Sequence, residues 1–379
     1  MNTDLSEDEP MTPTLPVPTF AFRDPKLGLI WDKVRSGLRL DFADGMAMLE
    51  TPDLMSLGKM ANWVAETRHG KKVTYVLNRQ CNPTNWCVLD CKFCEFARRK
   101  GEDGGWDMDM KEILEHCEGG VREIHMVGGL HPDWKFAKYV EIVREIRAHY
   151  PEIGIKAWTA VEIEWFARLE RKPIAEILKV LKANGLDAIP GGGAEVFSER
   201  VRAELFKTKI GWDKWSEVHR EAHKLGIPSN ATLLYGHIET YEERVDHMMK
   251  LRQLQDEAPG FMSFIPLAFQ PGATGIPVGK QGAIEDARLI AAARLLLDNF
   301  PHIKAYWVLM SPEMASIALG FGASDLDGTI GKEKIMHMAG NKSPEGLAIE
   351  GMRKLIREAG KNPQERDIVY NDVPEAVLA

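Results

Sequence analysis

The chain is short of the features that would place it in a membrane, on nucleic acid or outside the cell. No apolar stretch reaches about 18 residues, so no membrane-spanning helix is expected. Basic residues are outnumbered, with 48 Lys and Arg against 56 Asp and Glu for a net charge of −8, and nothing calls for a nucleic-acid partner. Only five of 379 residues are cysteine. An odd count in a long chain argues against a disulfide framework and predicts reduced thiols in the cytoplasm.

The pattern along the chain predicts four parts. Residues 1–20 are acidic and proline-rich, which is typical of a disordered tail and not of a secretory signal. Apolar residues at helical spacing predict an N-terminal helical segment over 21–72. A domain of alternating strands and helices follows over 73–340. A helical tail over 341–379 is expected to pack on that domain and to end irregularly.

The central domain alternates short apolar runs with longer amphipathic ones. Strands are predicted at 73–77, 123–127, 153–159, 188–190, 229–234, 262–267, 303–308 and 325–329. Helices are predicted at 110–117, 136–149, 174–184, 212–225, 241–255 and 284–299. This alternation indicates an α/β fold with a parallel sheet, and eight strands favour a (β/α)8 TIM-type barrel. A doubly wound open sheet stays an alternative, because periodicity does not separate the two.

Three of the five cysteines fall within eight residues, just after the first predicted strand. Cys87, Cys91 and Cys94 have the spacing C-x-x-x-C-x-x-C, and Phe93 precedes the last of them. Thiolates are the usual ligands of iron–sulfur clusters. Three thiolates on a [4Fe–4S] cluster leave one iron without a protein ligand. That iron is available to a cofactor with an amino and a carboxylate group.

Two other interpretations of the cysteines are open. Spacing of i, i+4 and i+7 also makes one face of a helix, and free cysteine behaves as a small buried hydrophobe. A zinc site is the second alternative, with Cys81 or Cys117 as the fourth ligand of a closed set. In that case the chain would be a zinc-stabilised binding protein without catalytic activity.

Several predicted strands end in glycine or in acidic residues, and chemistry gathers at these ends of a barrel. Glycine pairs let a ligand approach the backbone, and glutamates accept hydrogen bonds from ribose hydroxyls. The alternatives are ordinary tight turns and helix caps. The cofactor-binding candidates are Phe93, Gly128, Gly129, Thr159, Glu162, Gly192 and Glu195.

The catalytic candidates are His237 and Tyr235 at the end of the fifth predicted strand and Lys156 on the third. A cation that points into a barrel must be paired, either with an anionic substrate or with a buried carboxylate. Tyr306 and Arg79, on or beside other strands, are further candidates for substrate contact.

The cysteine spacing resembles the fingerprint of the radical S-adenosylmethionine (SAM) superfamily. The strand ends at 128–133, 159–163, 190–195, 230–239 and 325–329 are similar to the aminofutalosine synthases of that superfamily. Leu130 stands where many radical SAM enzymes carry glutamate after the strand-two glycines. The subgroup also holds the cyclic dehypoxanthinylfutalosine synthases and the deazaflavin-cofactor synthases.

The resemblance implies a cofactor, a substrate and a reaction. Cys87, Cys91 and Cys94 would bind a [4Fe–4S] cluster, and SAM would be consumed as a co-substrate. The 5′-deoxyadenosyl radical would add to 3-[(1-carboxyvinyl)oxy]benzoate, and loss of carbon dioxide or bicarbonate would give 6-amino-6-deoxyfutalosine for menaquinone biosynthesis. A flavodoxin or ferredoxin would supply the electron. The sibling enzymes would use the same fold but abstract hydrogen.

Overall fold

The computed structural model describes residues 15–272, 274–279, 281–331 and 333–374. Residues 1–14 of the predicted disordered tail lie outside this range. Three helices come first: α1 (Pro25–Arg35), α2 (Phe42–Glu50) and α3 (Leu54–His69). Each begins at an aspartate whose side chain accepts from a backbone amide, which is the usual way to satisfy a helix N-terminus. None of the described helices combines the length and the apolar character needed to cross a bilayer.

Strands and helices alternate from residue 72 onward. The strands are β1 (Lys72–Val76), β2 (Asn78–Cys81), β3 (Glu123–Met126), β4 (Gly154–Ala157), β5 (Ser229–Tyr235), β6 (Phe261–Ala268), β7 (His302–Ile303), β8 (Asp325–Gly328) and β9 (Asn362–Glu365). The helices are α4 (Met110–Glu115), α5 (Phe136–His149), α6 (Ala160–Glu170), α7 (Ile174–Ala183), α8 (Glu199–Leu205), α9 (Trp212–Lys224), α10 (Tyr241–Glu257), α11 (Ala283–Leu296), α12 (Trp307–Met310), α13 (Pro312–Ala318), α14 (Ile335–Met338) and α15 (Ile349–Glu358).

The strands close into a barrel. β2, β3 and β4 are parallel neighbours, and so are β5, β6 and β7. Single parallel bridges join the two groups through residues 188 and 189, which form the fourth position of the barrel. Another bridge leads from residue 304 to β8, and β8 pairs with β1. Within the described residues the pairing thus passes through eight positions and returns to the first, which confirms the predicted (β/α)8 barrel.

The seventh strand is shorter than predicted. The expected strand over 303–308 ends after Ile303, and the chain enters α12 at Trp307. The Trp307 indole N–H donates to the carbonyl of Gly328 (2.8 Å), which anchors α12 over the end of β8. A short apolar run does not distinguish a buried strand from a buried helix, which explains the error.

The C-terminal segment was predicted to become irregular after its helix. Instead it adds the strand β9. It pairs in parallel with the first four of the five residues of β1, from Lys72 opposite Asn362 to Tyr75 opposite Glu365. β1 is thus flanked by β8 on one side and β9 on the other. The last described residues therefore close the amino-terminal end of the barrel, which we call the barrel floor.

Charged side chains fill the barrel just above this floor, where most barrels carry branched aliphatic residues. We call them the floor network; it consists of the cations Lys156, Lys304 and Arg366 and the carboxylates Glu123, Asp325 and Asp327, all buried. Equal numbers of both signs compensate one another, as burial of charge requires.

Arg366, just after β9, connects the two halves of the floor network. Its Nε and Nη2 atoms lie 3.0 and 3.2 Å from the Asp325 carboxylate. Its Nη1 atom lies 3.6 Å from Glu123. Thr74 and Tyr370 also donate to Asp325, at 2.7 and 3.1 Å. Burial alone would raise the pKa of Glu123, but the surrounding cations, Lys156 first, lower it to about 2.

Candidate active site

The cysteine loop crosses the carboxyl-terminal end of the barrel. The Cys87 amide donates to the carbonyl of Arg98 (2.9 Å), and the Gly129 amide donates to the carbonyl of Thr84 (3.0 Å). A Cβ atom on Gly129 would lie 2.1 Å from the carbonyl oxygen of Trp86, so only glycine fits there. The glycine after β3 therefore lets the cysteine loop pack directly on the strand end.

The three cysteines of the loop share one chamber of about 140 Å³, here called the cysteine chamber. The Cys87 sulfur accepts from the amides of Leu89 and Leu130, both at 3.4 Å. Burial raises the pKa of Cys91 to about 12 and also raises that of Cys94. Buried thiols of this kind lose their protons when they bind a metal.

The other two cysteines do not line the cysteine chamber. Cys117 follows α4 and directs its sulfur toward the carbonyl of Ile113, and Cys81 is buried at the end of β2. Three thiols that line one chamber, with backbone N–H groups directed at the Cys87 sulfur, suit a cluster that has three protein ligands. The arrangement does not favour a closed four-cysteine zinc site.

Glu162 ties two strand ends together beside the cysteines. Its carboxylate accepts from the Gly128 amide after β3 (3.0 Å) and from the Thr159 amide after β4 (2.6 Å). Thr159 and Glu162 form the capping box of α6, so the helix-cap interpretation of Glu162 is confirmed. Both residues also line the cysteine chamber. Burial raises the pKa of Glu162 to about 7.

Lys209, which lines the cysteine chamber, forms an ion pair with Glu195, and their side chains are only 12% and 11% exposed. The Lys209 ammonium lies 5.4 Å from the centre of the Phe93 ring. Burial disfavours its charge, but Glu195 and Cys91 outweigh burial and raise the pKa of Lys209. Glu195 has a φ of 47°, unusual for a residue other than glycine, and such strain collects at functional sites. Glu195 does not cap α8, which begins after Ser198.

A second cavity of about 300 Å³, here called the large chamber, adjoins the cysteine chamber. The two share the wall residues Phe93, Cys94, Phe96, Val127, Gly128, Thr159, Gly193 and Lys209. Gly192, a predicted cofactor contact, lines the large chamber. Gly193 has a φ of 90°, and a Cβ atom there would lie 2.4 Å from Val161, so the strand-four glycines shape the shared wall.

The rest of the wall of the large chamber is mainly apolar, with a few polar side chains. The wall includes Ile265, Leu267 and Phe269. Gln80, His125 and Tyr306 line the chamber, and no hydrogen bond of their side chains is found among the described residues. Unpartnered polar groups on an enclosed apolar wall are typical of a ligand site.

The three predicted catalytic residues do not line either chamber. Tyr235 points out of the barrel, and its hydroxyl donates to Asp286 of α11 (2.5 Å). The buried ring of His237 contacts the Leu234 carbonyl (3.0 Å) and, through Nδ1, the Glu239 carboxylate (3.0 Å). Both residues therefore stabilise the rim, and their placement does not support a catalytic role.

Lys156 points into the barrel but lies beneath the large chamber. Its ammonium donates to Glu123 (2.9 Å), so its partner is a buried carboxylate and not an anionic substrate. Arg79 lies outside as well, donating to the carbonyls of Glu115 (3.3 Å) and His116 (3.2 Å). Sequence reasoning did not find Lys209, which follows no strand and belongs to no motif, or Gln80, which only strand register brings to the chamber.

A closed eight-stranded barrel with a three-cysteine loop at the end of its first strand is the architecture of a radical SAM enzyme. The model of the Radical SAM superfamily matches residues 81–251, and that of the CofH/MqnC C-terminal region matches residues 258–377. The second match includes β9 and Arg366, so the barrel floor belongs to the shared region.

The chain belongs to the aminodeoxyfutalosine synthase family of that superfamily. It is 49% identical to the aminodeoxyfutalosine synthase of Thermus thermophilus over 93% of this chain and 97% of that protein. It is 39% identical to that of Streptomyces coelicolor over 90% and 93%. The FeFe-hydrogenase maturase HydG from Carboxydothermus hydrogenoformans has a similar fold, with a TM-score of 0.69 at 16% identity over 91% of this chain and 81% of that one. The predicted family is confirmed, and the protein is an enzyme.

Proposed function

We propose that the protein joins the adenosyl group of SAM to 3-[(1-carboxyvinyl)oxy]benzoate, which yields 6-amino-6-deoxyfutalosine, methionine and carbon dioxide or bicarbonate. The observation that carries the proposal is the wall shared by the two chambers. A co-substrate beside the cysteines and an aromatic acceptor in the large chamber would meet across Phe93, Gly128 and Thr159. Reactions that join two molecules depend on this kind of contact.

In this proposal Cys87, Cys91 and Cys94 bind a [4Fe–4S] cluster, which supplies the electron that cleaves SAM. Glu162 holds the Gly128 and Thr159 backbones, so that strand-end carbonyls and amides are fixed next to the methionine part of SAM. Lys209 takes the carboxylate of SAM, because among the described residues it is the cation that lines both chambers. Glu195 accepts from the ribose hydroxyls and at the same time holds Lys209.

The large chamber suits the aromatic acceptor. Its volume of about 300 Å³ is at the lower end of ligand pockets, and aliphatic and aromatic side chains form much of its wall. Such a wall packs on a benzene ring and keeps water away from a reactive carbon radical. Tyr306 is one of the aromatic side chains of this wall that would contact the ring.

The test is anaerobic incubation of the iron-loaded protein with reductant, SAM and 3-[(1-carboxyvinyl)oxy]benzoate, with products read by mass. We expect a product that retains the adenosyl carbons. Free 5′-deoxyadenosine without a coupled product would instead favour hydrogen abstraction, as in the sibling enzymes. A second arm replaces the chemical reductant with reduced flavodoxin or ferredoxin; turnover in that arm supports a protein electron donor.

A further inference from the structure

We propose that Gln80, His125 and Lys304 form a seat for the ring carboxylate of the substrate, at the end of the large chamber remote from the cysteines. This inference deepens the proposed function and rests on it. The inference depends on three side chains that line the same part of the large chamber. Two of them, on adjacent strands, are polar and unpartnered, and the third is a lysine of the floor network. We call these three residues the carboxylate seat.

Gln80 and His125 are direct neighbours across the β2–β3 pairing. Both line the large chamber, and neither side chain has a hydrogen-bond partner among the described residues. An amide or imidazole that faces an enclosed, largely apolar cavity without a protein partner gains nothing there to replace its hydrogen bonds to water. Two such groups side by side, directed into a cavity, are explained if a ligand supplies the missing partners.

Lys304 adds a cation to the same end of the chamber. Its ammonium donates to Asp327 at 2.8 Å and lies 3.3 Å from Asp325. Because an ammonium has three N–H groups, one is left for a ligand. Burial opposes the charge of Lys304, but Asp327 and the groups around it outweigh burial and raise its pKa, so the cation persists.

His125 is a neutral donor in this seat. Burial, assisted by Lys156 and Lys304, lowers the pKa of His125 to about 4, while Glu123 and Asp327 act in the opposite direction. A neutral imidazole can donate one N–H group, and the side-chain amide of Gln80 can donate from its NH2 group. A carboxylate with two oxygens can accept from both and from Lys304, which compensates its charge.

The position of the seat selects between the two carboxylates of the substrate. Gln80, His125 and Lys304 line the large chamber only, whereas Lys209 and Phe93 line both chambers. The reacting double bond carries one carboxylate and must lie toward the cysteines. The ring carboxylate, on the far side of the benzene ring, therefore reaches the seat.

The test compares 3-[(1-carboxyvinyl)oxy]benzoate with 2-phenoxyacrylate, which lacks the ring carboxylate. Binding is measured by anaerobic titration calorimetry on the iron-loaded enzyme with SAM and without reductant, so that no turnover occurs. We expect the wild type to bind the benzoate about 30-fold more tightly, since hydrogen bonds to a charged group contribute about 1.5–3 kcal/mol. Lys304→Met, His125→Leu and Gln80→Leu should weaken binding of the benzoate while the affinity for 2-phenoxyacrylate stays within about twofold.

Two controls separate binding from folding. Gln80→Leu and His125→Leu remove no hydrogen bond of the described structure, so their unfolding midpoints should be no lower than that of the wild type. Lys354 lies on α15 with 74% of its side chain exposed, so Lys354→Met makes the same substitution as Lys304→Met at a remote site. It should leave the affinity for both ligands unchanged. Equal affinity of the wild type for both ligands, or equal loss of both in the seat variants, overturns the seat. If the coupled product still forms, the proposed function survives; if the wild type neither binds nor couples the benzoate, both fall.

Discussion

Arg366→Met tests whether the C-terminal strand holds the floor network together. Arg366 makes two hydrogen bonds to Asp325, at 3.0 and 3.2 Å, and its charge also lies 3.6 Å from Glu123. Methionine preserves most of the volume but leaves the remaining network with one carboxylate in excess. Removal of one partner from a fully buried pair costs about 3–5 kcal/mol, so we expect a loss near 4 kcal/mol in the free energy of unfolding at pH 7.

The loss of unfolding free energy in Arg366→Met should become smaller as the pH is lowered. In the wild type, the neighbouring cations overcome burial and hold the pKa of Glu123 at about 2, and they also lower that of Asp325. These carboxylates therefore stabilise the fold above their unfolded pKa values of about 4, and that contribution is lost only as pH falls toward 2. Without Arg366 a carboxylate can take up a proton instead, so the difference between variant and wild type should shrink from pH 7 to pH 4.

The measurement is an anaerobic urea titration of the iron-loaded protein followed by tryptophan fluorescence, at several pH values. Asp325→Asn serves as the partner change in a double-mutant cycle. Once Arg366 is absent, neutralising Asp325 should cost far less than in the wild type, with a coupling of about 2–3 kcal/mol. A loss below about 1 kcal/mol, a loss that is the same at pH 4 and pH 7, or simple additivity would refute the reasoning.

Three further predictions concern the chambers. Cys91→Ala should abolish iron binding, whereas Cys81→Ala and Cys117→Ala should keep it, because neither of those sulfurs lines the cysteine chamber; loss of more than half the iron in either would contradict this. Lys209→Ala should weaken SAM binding about 10- to 100-fold at unchanged iron content, as calorimetry can measure, and an unchanged affinity would count against its role. Tyr235→Phe should retain turnover but lower the free energy of unfolding by about 1–3 kcal/mol, because the Asp286 carboxylate loses a donor; lost activity at full stability would restore Tyr235 as a catalytic candidate.

The barrel and the cysteine site were accessible from the sequence because both have a strong linear signal. The thiols lie within eight residues, and the strand–helix alternation survives even where the fourth position shrinks to single bridges. Strand β9 has no such signal. It contains Pro363 and polar residues, and only its place beside β1 makes it a strand.

The substrate side of the site was not accessible, because it depends on which face of each strand points inward. Asn230, Thr232 and Leu234 line the large chamber, so Tyr235, one residue further, must point outward. The prediction of a strand does not say which of its residues point into the barrel. Lys209 could not be found for a different reason: it reaches the chambers from a loop after α8, and only the folded chain brings it to Glu195.

The pairing of β1 with β9 also affects how the protein is made. At the usual rate of about 5–20 residues per second, a ribosome needs roughly 15–60 s to travel from residue 76 to residue 362. For most of that interval β1 has neither β8 nor β9 beside it, because β8 begins only at Asp325, and the barrel stays open around the cysteines. Completion of the fold, and with it protected iron loading, must therefore wait until β9 leaves the ribosome.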